Sequence, residues 1–314
     1  MIKKKFKLGR SILKLILPVI YKLLIFFKLN RRVINYLEEK SYFSNQSHEI
    51  SYILRDLLKD KKLIALDVGA QGGFNSDEFF EKKYNSFFES ILVEPIQSEA
   101  EKLMGVKHVI NKGLWSKKGI KKFYMLKERP GSSSMYEPEE KNFDLHRIKK
   151  KDYNNFKVSN ILEIDCDTIE NSLARFDIEY IDYLKIDTQG AELEILKGLG
   201  NYRPLIIKLE AHVFSMYKNV PSWHQLLNFL YDINYILIDW KSIGGHVSRI
   251  PAEMDLIFIP NFKNQKGEDL IKKYKERFIS LMLIFGQINL LKLIMKRLNI
   301  KNKDLDKFED LYFN

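Results

Sequence analysis

The stretch Leu63-Ile64-Ala65-Leu66-Asp67-Val68-Gly69-Ala70-Gln71-Gly72-Gly73 decides the fold. Apolar residues lead into an aspartate and glycines follow it, a pattern typical of a buried strand that runs into a tight turn. Glycine has no Cβ, so such a turn adopts positive φ angles and brings backbone N–H groups close to a ligand. Glu94 ends the next apolar run, 22 residues after Gly72, about where a carboxylate hydrogen-bonds a ribose in nucleotide-binding folds. Together the two signals predict a nucleoside ligand, whereas the glycine turn alone also fits an ordinary strand-to-helix corner.

Short apolar runs recur along the chain and alternate with helical patterns. Seven of them are predicted as strands of one sheet: residues 63–67, 90–94, 106–111, 180–187, 204–210, 235–240 and 254–260. Helices are predicted from the spacing of apolar residues at 48–59, 76–88, 168–176, 190–198 and 222–230. Strands that alternate with helices form a parallel sheet whose crossover helices cover both faces. The sequence therefore predicts an α/β domain over residues 46–262.

Residues 115–160 interrupt this alternation. Ile120–Leu126 alternates like a hairpin strand, Arg129–Ser134 is a loop with small hydroxyl residues, and Glu137–Asp152 is charged and helix-prone without a strong apolar stripe. We interpret these residues as an insertion over the carboxyl edge of the sheet, where it would act as a lid or contact a substrate. A solvated surface excursion is the alternative interpretation.

Positive charge is concentrated at the N-terminus. The net charge is +11, and the lysines and arginines before Glu38 supply +10 of it without any acidic residue among them. Apolar residues recur every three to four positions over residues 1–35, which predicts a basic amphipathic helix on an anionic membrane surface. A helix packed on the protein's own core and an uncleaved membrane anchor are the alternatives. The nearly neutral remainder of the chain argues against a nucleic-acid partner.

The chain ends in a second basic, helical stretch, residues 263–314, whose apolar run is too interrupted to span a bilayer. The predicted organisation is thus an extension over residues 1–45, a domain over 46–262 and an extension over 263–314. Cys166 is the only cysteine, so no intrachain disulfide forms, which suits a reducing compartment. The expected location is the cytoplasm, at the inner face of the cell membrane. The sequence predicts no particular oligomeric state.

Polar residues stand where predicted strands end, namely Asp67, Glu94, Asp187 and Glu210, the last followed closely by His212. Ligands of open α/β sheets bind beyond the carboxyl ends of the strands. Each residue also has a purely structural explanation, such as a helix cap for Asp187, an ion pair for Glu210 or a hydrogen-bonded core histidine for His212. Buried carboxylates at strand ends cost free energy unless they are paired or bound, so their convergence predicts a site.

The run from Leu184 to Gly198, with Asp187-Thr188-Gln189-Gly190-Ala191-Glu192 at its centre, resembles the signature of the FkbM family of S-adenosylmethionine-dependent methyltransferases. Similar matches lie at Leu66–Ala70, Val93–Pro95, Gly131–Ser134 and Leu209–Glu210, the last followed by Met216–Lys218. The resemblance covers about residues 60–262. It implies the class I methyltransferase fold, a Rossmann-like sheet of seven mostly parallel strands with the last antiparallel. It also implies S-adenosyl-L-methionine as the cofactor.

The resemblance implies roles for single residues as well. The glycine loop would hold the methionine part of the cofactor, Glu94 and Pro95 would lie at the ribose, and Asn111 would border the adenine. The cofactor-binding residues expected on this basis are Asp67, Gly69, Ala70, Gln71, Gly72, Glu94, Pro95, Asn111 and Asp187.

The catalytic residues of the family are not uniform, so they are inferred from the chemistry. Methyl transfer to an alcohol oxygen requires in-line alignment and a group that accepts the hydroxyl proton. The candidate bases are His212 and Asp187, with Glu210 as an orienting partner. His212 is favoured because a free aspartate is a weak base near neutral pH. The same side chains could hold a divalent metal, which is not expected.

The resulting hypothesis is an O-methyltransferase that acts on a sugar hydroxyl of a surface glycan or a lipid-linked precursor. A hydroxyl of a macrolide-like or other small molecule is the nearest alternative acceptor. A nicotinamide-dependent dehydrogenase is disfavoured because Asp67 occupies the first glycine position of its fingerprint. A catalytically inactive, membrane-associated scaffold is the alternative from a different class of protein.

Overall fold

The computed structural model describes residues 47–74, 80–103, 105–243 and 251–301, together with residues 19, 20, 22 and 23. The basic helix predicted for residues 1–35 lies outside the described residues, apart from Val19, Ile20, Lys22 and Leu23, which are helical and exposed. Residues 302–314 of the predicted C-terminal extension also lie outside them. No helix among the described residues is long and apolar enough to cross a membrane.

The described strands are β1 (Leu63–Val68), β2 (Phe88–Val93), β3 (His108–Ile110), β4 (Gly113–Leu114), β5 (Gly119–Leu126), β6 (Val158–Asp167), β7 (Tyr183–Ile186), β8 (Ile206–His212), β9 (Tyr235–Ile243) and β10 (Glu253–Pro260). The α-helices are α1 (Ser47–Leu58), α2 (Gln97–Ala100), α3 (Ile169–Leu173), α4 (Glu192–Lys197), α5 (Trp223–Asp232), α6 (Gln265–Lys273), α7 (Lys275–Ile284) and α8 (Ile288–Arg297). Side-chain caps fix two of the predicted helix starts. Thr168 accepts a hydrogen bond from the N–H of Asn171 before α3, and Ser222 and Gln225 form a capping box at α5.

The main sheet has seven strands in the order β3-β2-β1-β7-β8-β10-β9. The pairs from β3 to β8 are parallel, and β10 runs antiparallel to both of its neighbours. This arrangement confirms the predicted fold class, including the antiparallel last strand. It also places the ends of β1, β2, β7 and β8 at one edge, because parallel strands all end on the same side.

A second, three-stranded sheet of order β4-β6-β5 forms much of the interruption between residues 115 and 165. The predicted hairpin strand is confirmed as β5, and its antiparallel partner is β6. The segment 137–152 was predicted to be charged and helix-prone, without a strong apolar stripe, and the turns that it forms are not α-helical. It forms 3-10 turns (Glu140–His146 and Lys150–Phe156) whose Phe143 and Phe156 pack into a small separate core. These buried residues come from two short turns, so they leave no helical stripe in the sequence.

The helix predicted at residues 76–88 is wrong over its described part. Lys82–Phe87 is a 3-10 turn, and Phe88 already begins β2, where it pairs with Leu63 of β1. Residues 75–79 of that prediction lie outside the described residues. The aromatic residues Phe80 and Phe88 stack on each other with ring centroids 5.3 Å apart. These apolar residues therefore pack in an aromatic cluster and do not form the buried face of a helix.

The two faces of the main sheet differ in chemistry. One face carries Leu66, Val68, Leu184 and Ile186, which belong to the large apolar core. Alternate side chains of a strand point to opposite faces, and the other face carries buried ion pairs, Asp67 with Lys185 at 3.1 Å and Lys208 with Asp255 at 3.0 Å. On that face the ring of Phe285 packs 5.2 Å from the ring of Tyr183. The apolar run from Phe278 to Phe285 is therefore buried in the protein.

Candidate active site

Backbone hydrogen bonds join the corners after β1, β2 and β7 at the carboxyl edge of the main sheet. The N–H groups of Gly69 and Ala70 both donate to the carbonyl of Val93 at 3.1 Å, and the N–H of Asp187 donates to the carbonyl of Val68 at 3.0 Å. The sequence suggested that backbone N–H groups of the glycine loop face a ligand, but those of Gly69 and Ala70 are used within the protein. They fix the loop against β2 instead.

Gly69 allows the first and third of these corners to touch. Its φ is +85°, and a Cβ built on it would lie 1.9 Å from the carbonyl oxygen of Asp187. Any side chain at this position would push the Asp187 corner away from the glycine loop. The requirement for glycine therefore comes from the close backbone approach as well as from the positive φ.

A cleft of about 630 Å³, including its solvent-open mouth, lies between these corners and the small sheet. Polar groups line its floor, and apolar side chains from the small sheet and α4 line its walls. The floor includes Gly69, Gln71, Glu94, Asp187 and Gln189, and the walls include Ile96, Leu114, Phe123, Met135 and Ile195. Such a mixture of apolar walls and a few placed polar groups is typical of a small-molecule site.

Five of the predicted cofactor-binding residues line this cleft: Gly69, Gln71, Glu94, Pro95 and Asp187. Ala70, Gly72, Asp67 and Asn111 are not part of its lining. The carboxylate of Asp67 pairs with Lys185 inside the sheet, and the side-chain amide of Asn111 donates to the carbonyl of Glu94 at 2.9 Å. These two residues thus shape the corners that carry the lining, and the cofactor roles of all nine residues stay predictions.

Glu94 is the buried carboxylate of the cleft. Its Oε1 accepts a hydrogen bond from the N–H of Ile96 at 2.9 Å. Burial raises the pKa of Glu94 to about 7, and the nearby charge of Glu99 adds to the effect, although the hydrogen bond from Ile96 opposes it. Ligand hydroxyl groups that donate hydrogen bonds to Glu94 would stabilise its ionised form and lower its pKa.

Gln189 organises the other end of the cleft. It adopts a left-handed conformation with φ 58°, which costs a non-glycine residue about 1–2 kcal/mol. Three contacts hold it there: Ser134 Oγ donates to its carbonyl at 2.7 Å, its Nε2 donates to Glu210 Oε1 at 2.8 Å, and its Oε1 lies 2.9 Å from the Tyr217 hydroxyl. Strained backbone of this kind is common at functional sites, where the surroundings fix it.

The three predicted catalytic residues lie in a row behind this glutamine. Gln189 Nε2 is 3.4 Å from Asp187 Oδ1, and His212 Nε2 is 3.5 Å from Glu210 Oε1. Asp187 lines the cleft, whereas Glu210 and His212 are buried behind it. The structure therefore brings all three together, but their catalytic roles stay predictions.

Four residues at this end of the site were not predicted from the sequence: Gln189, Tyr217, Glu253 and His146. Gln189 and Tyr217 lie inside the matched motifs, so their positions were visible but their contacts were not. Glu253 is opposite His212 in the antiparallel pairing of β8 and β10, and its Oε1 is 3.4 Å from His212 Nδ1. A pairing across some forty residues leaves no local pattern in the sequence.

Carboxylates dominate the electrostatics behind Gln189. Burial raises the pKa of Glu210 well above its usual range, and the charges of Asp187 and Glu253 add to the rise. Burial alone would lower the pKa of His212, but the surrounding carboxylates, Glu253 first, outweigh burial and raise it. The pKa of Glu253 is lowered, because its two histidine neighbours outweigh the effect of burial. In the described part of the chain, no lysine or arginine pairs with Glu210 or Glu253, so His212 is the partner of both carboxylates.

The strand order, with its antiparallel last strand, is that of the class I methyltransferase fold. The chain belongs to the FkbM methyltransferase family, because the Methyltransferase FkbM domain matches residues 67–237. No curated protein sequence matches the chain.

Solved methyltransferase structures resemble the chain at low similarity. A prophage-encoded E. coli protein assigned as a DNA modification methyltransferase has 10% identity and a TM-score of 0.33, over 63% of this chain and 47% of its own. Magnesium protoporphyrin IX methyltransferase from Synechocystis PCC 6803, solved with bound SAM, has 10% identity and a TM-score of 0.32, over 70% of this chain and 88% of its own. TrmK from M. capricolum, solved with S-adenosyl-homocysteine, has 13% identity and a TM-score of 0.31, over 86% of this chain and 99% of its own.

The chain spans less than half of the E. coli protein, and TM-scores below 0.5 carry no argument about the acceptor. The similar structures include DNA and small RNA methyltransferases. The expectation that nucleic acid is not a partner therefore gains no support from them.

The Gly69 contact yields a matched pair of alanine variants. Gly69 and Gly73 have similar φ angles, +85° and +93°, but a Cβ on Gly73 would meet no described atom within 4 Å. We expect Gly73→Ala to lower the free energy of unfolding by about 1–2 kcal/mol, the cost of the backbone conformation alone. Gly69→Ala should lower it by more than about 3 kcal/mol, because it also clashes with Asp187. Chemical denaturation measures both, and equal losses would contradict the close approach.

The raised pKa of Glu94 predicts a pH dependence of cofactor binding. If ribose hydroxyls donate to the ionised carboxylate, binding lowers its pKa and affinity rises as pH passes through about 7. S-adenosylhomocysteine should bind about tenfold more tightly at pH 8 than at pH 6, as measured by calorimetry. Glu94→Gln should bind more weakly and lose most of this dependence. An unchanged pH profile in the variant would remove Glu94 from the ribose site.

Proposed function

We propose that this methyltransferase transfers its methyl group to a hydroxyl oxygen, and that the acceptor is a sugar of a surface glycan or a lipid-linked precursor. The observation that carries the proposal is the cluster of carboxylate, amide and imidazole groups at the Asp187–Gln189 end of the cleft. These groups supply hydrogen-bond acceptors and a proton acceptor, which a hydroxyl nucleophile needs. The sugar itself is inferred from the family resemblance.

The described residues fit S-adenosylmethionine, which supplies an electrophilic methyl group on a sulfonium. Glu94 is a buried carboxylate in the cleft, suited to accept hydrogen bonds from the two ribose hydroxyls. The apolar wall of Leu114, Phe123 and Ile195 offers a surface for a flat aromatic base. The polar and apolar parts of the cleft thus match the two parts of a nucleoside.

We assign the contact with the acceptor hydroxyl to Asp187, because Asp187 lines the cleft and the other two candidates do not. Gln189 links it to Glu210, and Glu210 neighbours His212. In this arrangement Asp187 accepts the hydroxyl proton, and His212 acts through Glu210 and Gln189 as a positioning residue rather than by contact. This differs in emphasis from the sequence hypothesis, which favoured His212 as the base.

Labelled S-adenosylmethionine and an acceptor panel test the proposal. The panel holds nucleotide sugars, lipid-linked sugars, a macrolide-like alcohol and RNA, and we expect label only on sugar hydroxyls. Label on another acceptor alone would overturn the sugar assignment. Binding of S-adenosylhomocysteine without transfer to any acceptor would favour the scaffold alternative.

Variants of the three candidate catalytic residues, measured in the same assay, test their roles. Asp187→Asn, Glu210→Gln and His212→Ala should each lose turnover by about 10²-fold or more, and Glu210→Gln and His212→Ala should keep cofactor binding. Glu163→Gln, an exposed change on β6, is the control and should behave like the natural protein. Near-normal turnover in all three variants would show that the acceptor side lies elsewhere.

The proposal extends to a position at the inner membrane face, which depends only on the charge of residues 1–35. Deletion of residues 1–35 should move the protein from the pellet to the supernatant with anionic liposomes at low salt, because attraction to the surface is electrostatic. Liposomes of neutral lipid are the control. Equal sedimentation with and without these residues would contradict membrane binding through them.

A further inference from the structure

A group of metal-ligating side chains lies behind the cleft, where β8 and β10 pair. His212 stands opposite Glu253 in the antiparallel register, and Glu210 is two residues before His212 on the same strand. The three side chains therefore share one face of the sheet. One ligand atom from each lies within 4.8 Å of those of the other two.

The imidazole of His212 is the buried centre of this group. Among the described residues, neither of its ring nitrogens makes a hydrogen bond. Nε2 is 3.5 Å from Glu210 Oε1 and Nδ1 is 3.4 Å from Glu253 Oε1, longer than the usual N–H···O distance of about 2.7–3.2 Å. Ligands bound to one metal at about 2.0–2.2 Å lie roughly 3 to 3.5 Å apart. A metal binds one ring nitrogen, so the 3.5 Å between Nε2 and Glu210 Oε1 suits a cation shared by these two residues. Glu253 is near enough to join them, because one ligand atom of each residue lies within 4.8 Å of the other two.

His146 supplies a second observation. Its Nε2 lies 2.8 Å from the carbonyl oxygen of Phe214, which only accepts, so Nε2 carries the proton. In the neutral ring Nδ1 is then an acceptor, yet it faces the carboxylate oxygen Glu253 Oε1 at 3.4 Å. Two acceptors that face each other imply a proton or a cation beside them, and a backbone carbonyl on the far nitrogen is typical of metal-binding histidines.

The charges around the group are unbalanced. The carboxylates of Asp187, Glu192, Glu210 and Glu253 surround the two imidazoles. In the described part of the chain, no lysine or arginine pairs with any of these four, and the nearby Lys208 pairs with Asp255. Buried excess negative charge costs free energy unless protons or a cation offset it.

We propose that Glu210, His212 and Glu253 bind a divalent transition-metal cation of the Mn²⁺ or Fe²⁺ kind, with His146 as a positioning residue for Glu253. A mixed set of carboxylates and an imidazole suits these ions, whereas Mg²⁺ and Ca²⁺ favour oxygen ligands alone. Binding would release the protons that otherwise balance the carboxylates. The inference does not rest on the proposed acceptor, because metal binding is measured on the protein alone.

Mn²⁺ itself is the probe for the test. The full chain is treated with chelator, freed of it, and titrated with Mn²⁺ without cofactor or acceptor, while electron paramagnetic resonance counts the free ion. We expect one Mn²⁺ per chain, and affinity at least about tenfold weaker in His212→Ala and Glu253→Gln. Glu137→Gln, which changes an exposed carboxylate paired with Lys218, is the control and should bind Mn²⁺ as the natural protein does.

A second measurement covers the case in which the buried variants fail to fold. Pulsed electron paramagnetic resonance of Mn²⁺ on the natural protein should show modulation from a directly bound imidazole nitrogen. No Mn²⁺ bound at millimolar concentration, or bound Mn²⁺ without that nitrogen signal, would overturn the proposal and leave protons as the balancing charge. Cofactor binding that persists in either case would leave the methyltransferase assignment standing.

Discussion

The close backbone contact between Gly69 and Asp187 is the constraint on which the site depends. The Asp187 carbonyl oxygen occupies the space that a Cβ of residue 69 would fill, so the corners after β1 and β7 meet without side chains between them. Hydrogen bonds from Gly69 and Ala70 to Val93 fix the neighbouring corner after β2 in the same way. The sheet thus fixes the backbone of these three corners, which carry polar residues that line the cleft. A loop tied to the sheet at several points keeps its shape when no ligand is bound, which favours tight binding.

The sequence predicted the parts that depend on local pattern and on sheet geometry. Strands such as β1 and β7 were recognised from the sequence because most of their residues are apolar. The rule that parallel strands end at one edge predicted that Glu94, Asp187 and Glu210 lie close together. Pairing between distant segments could not be predicted. Phe123 lines the cleft because β5 turns that face inward when it pairs with β6, and Glu253 meets His212 because β10 runs back beside β8. Where Lys82–Phe87 forms a 3-10 turn, tertiary packing of aromatic residues overrode a helical pattern.

The two ends of the cleft differ in the surroundings of their carboxylates. At the Glu94 end, apolar side chains line the cleft beside a buried carboxylate, and burial raises the pKa of Glu94 to about 7. At the other end several carboxylates crowd two imidazoles, and Gln189 is held in a strained conformation between them. Both arrangements cost stability, since buried charge and left-handed backbone are unfavourable in themselves. Their concentration at the carboxyl edge of the sheet is the reason that we propose this edge as the active site.

A crystal structure of the protein with S-adenosylhomocysteine tests the central claim most directly, since the cleft is held to be the cofactor site. We predict ribose hydroxyls within hydrogen-bonding distance of the Glu94 carboxylate, and the adenine against the wall that contains Phe123. The sulfur atom should face the Asp187–Gln189 end. A folded protein that binds the ligand at another place, or with its ribose turned away from Glu94, would contradict the assignment.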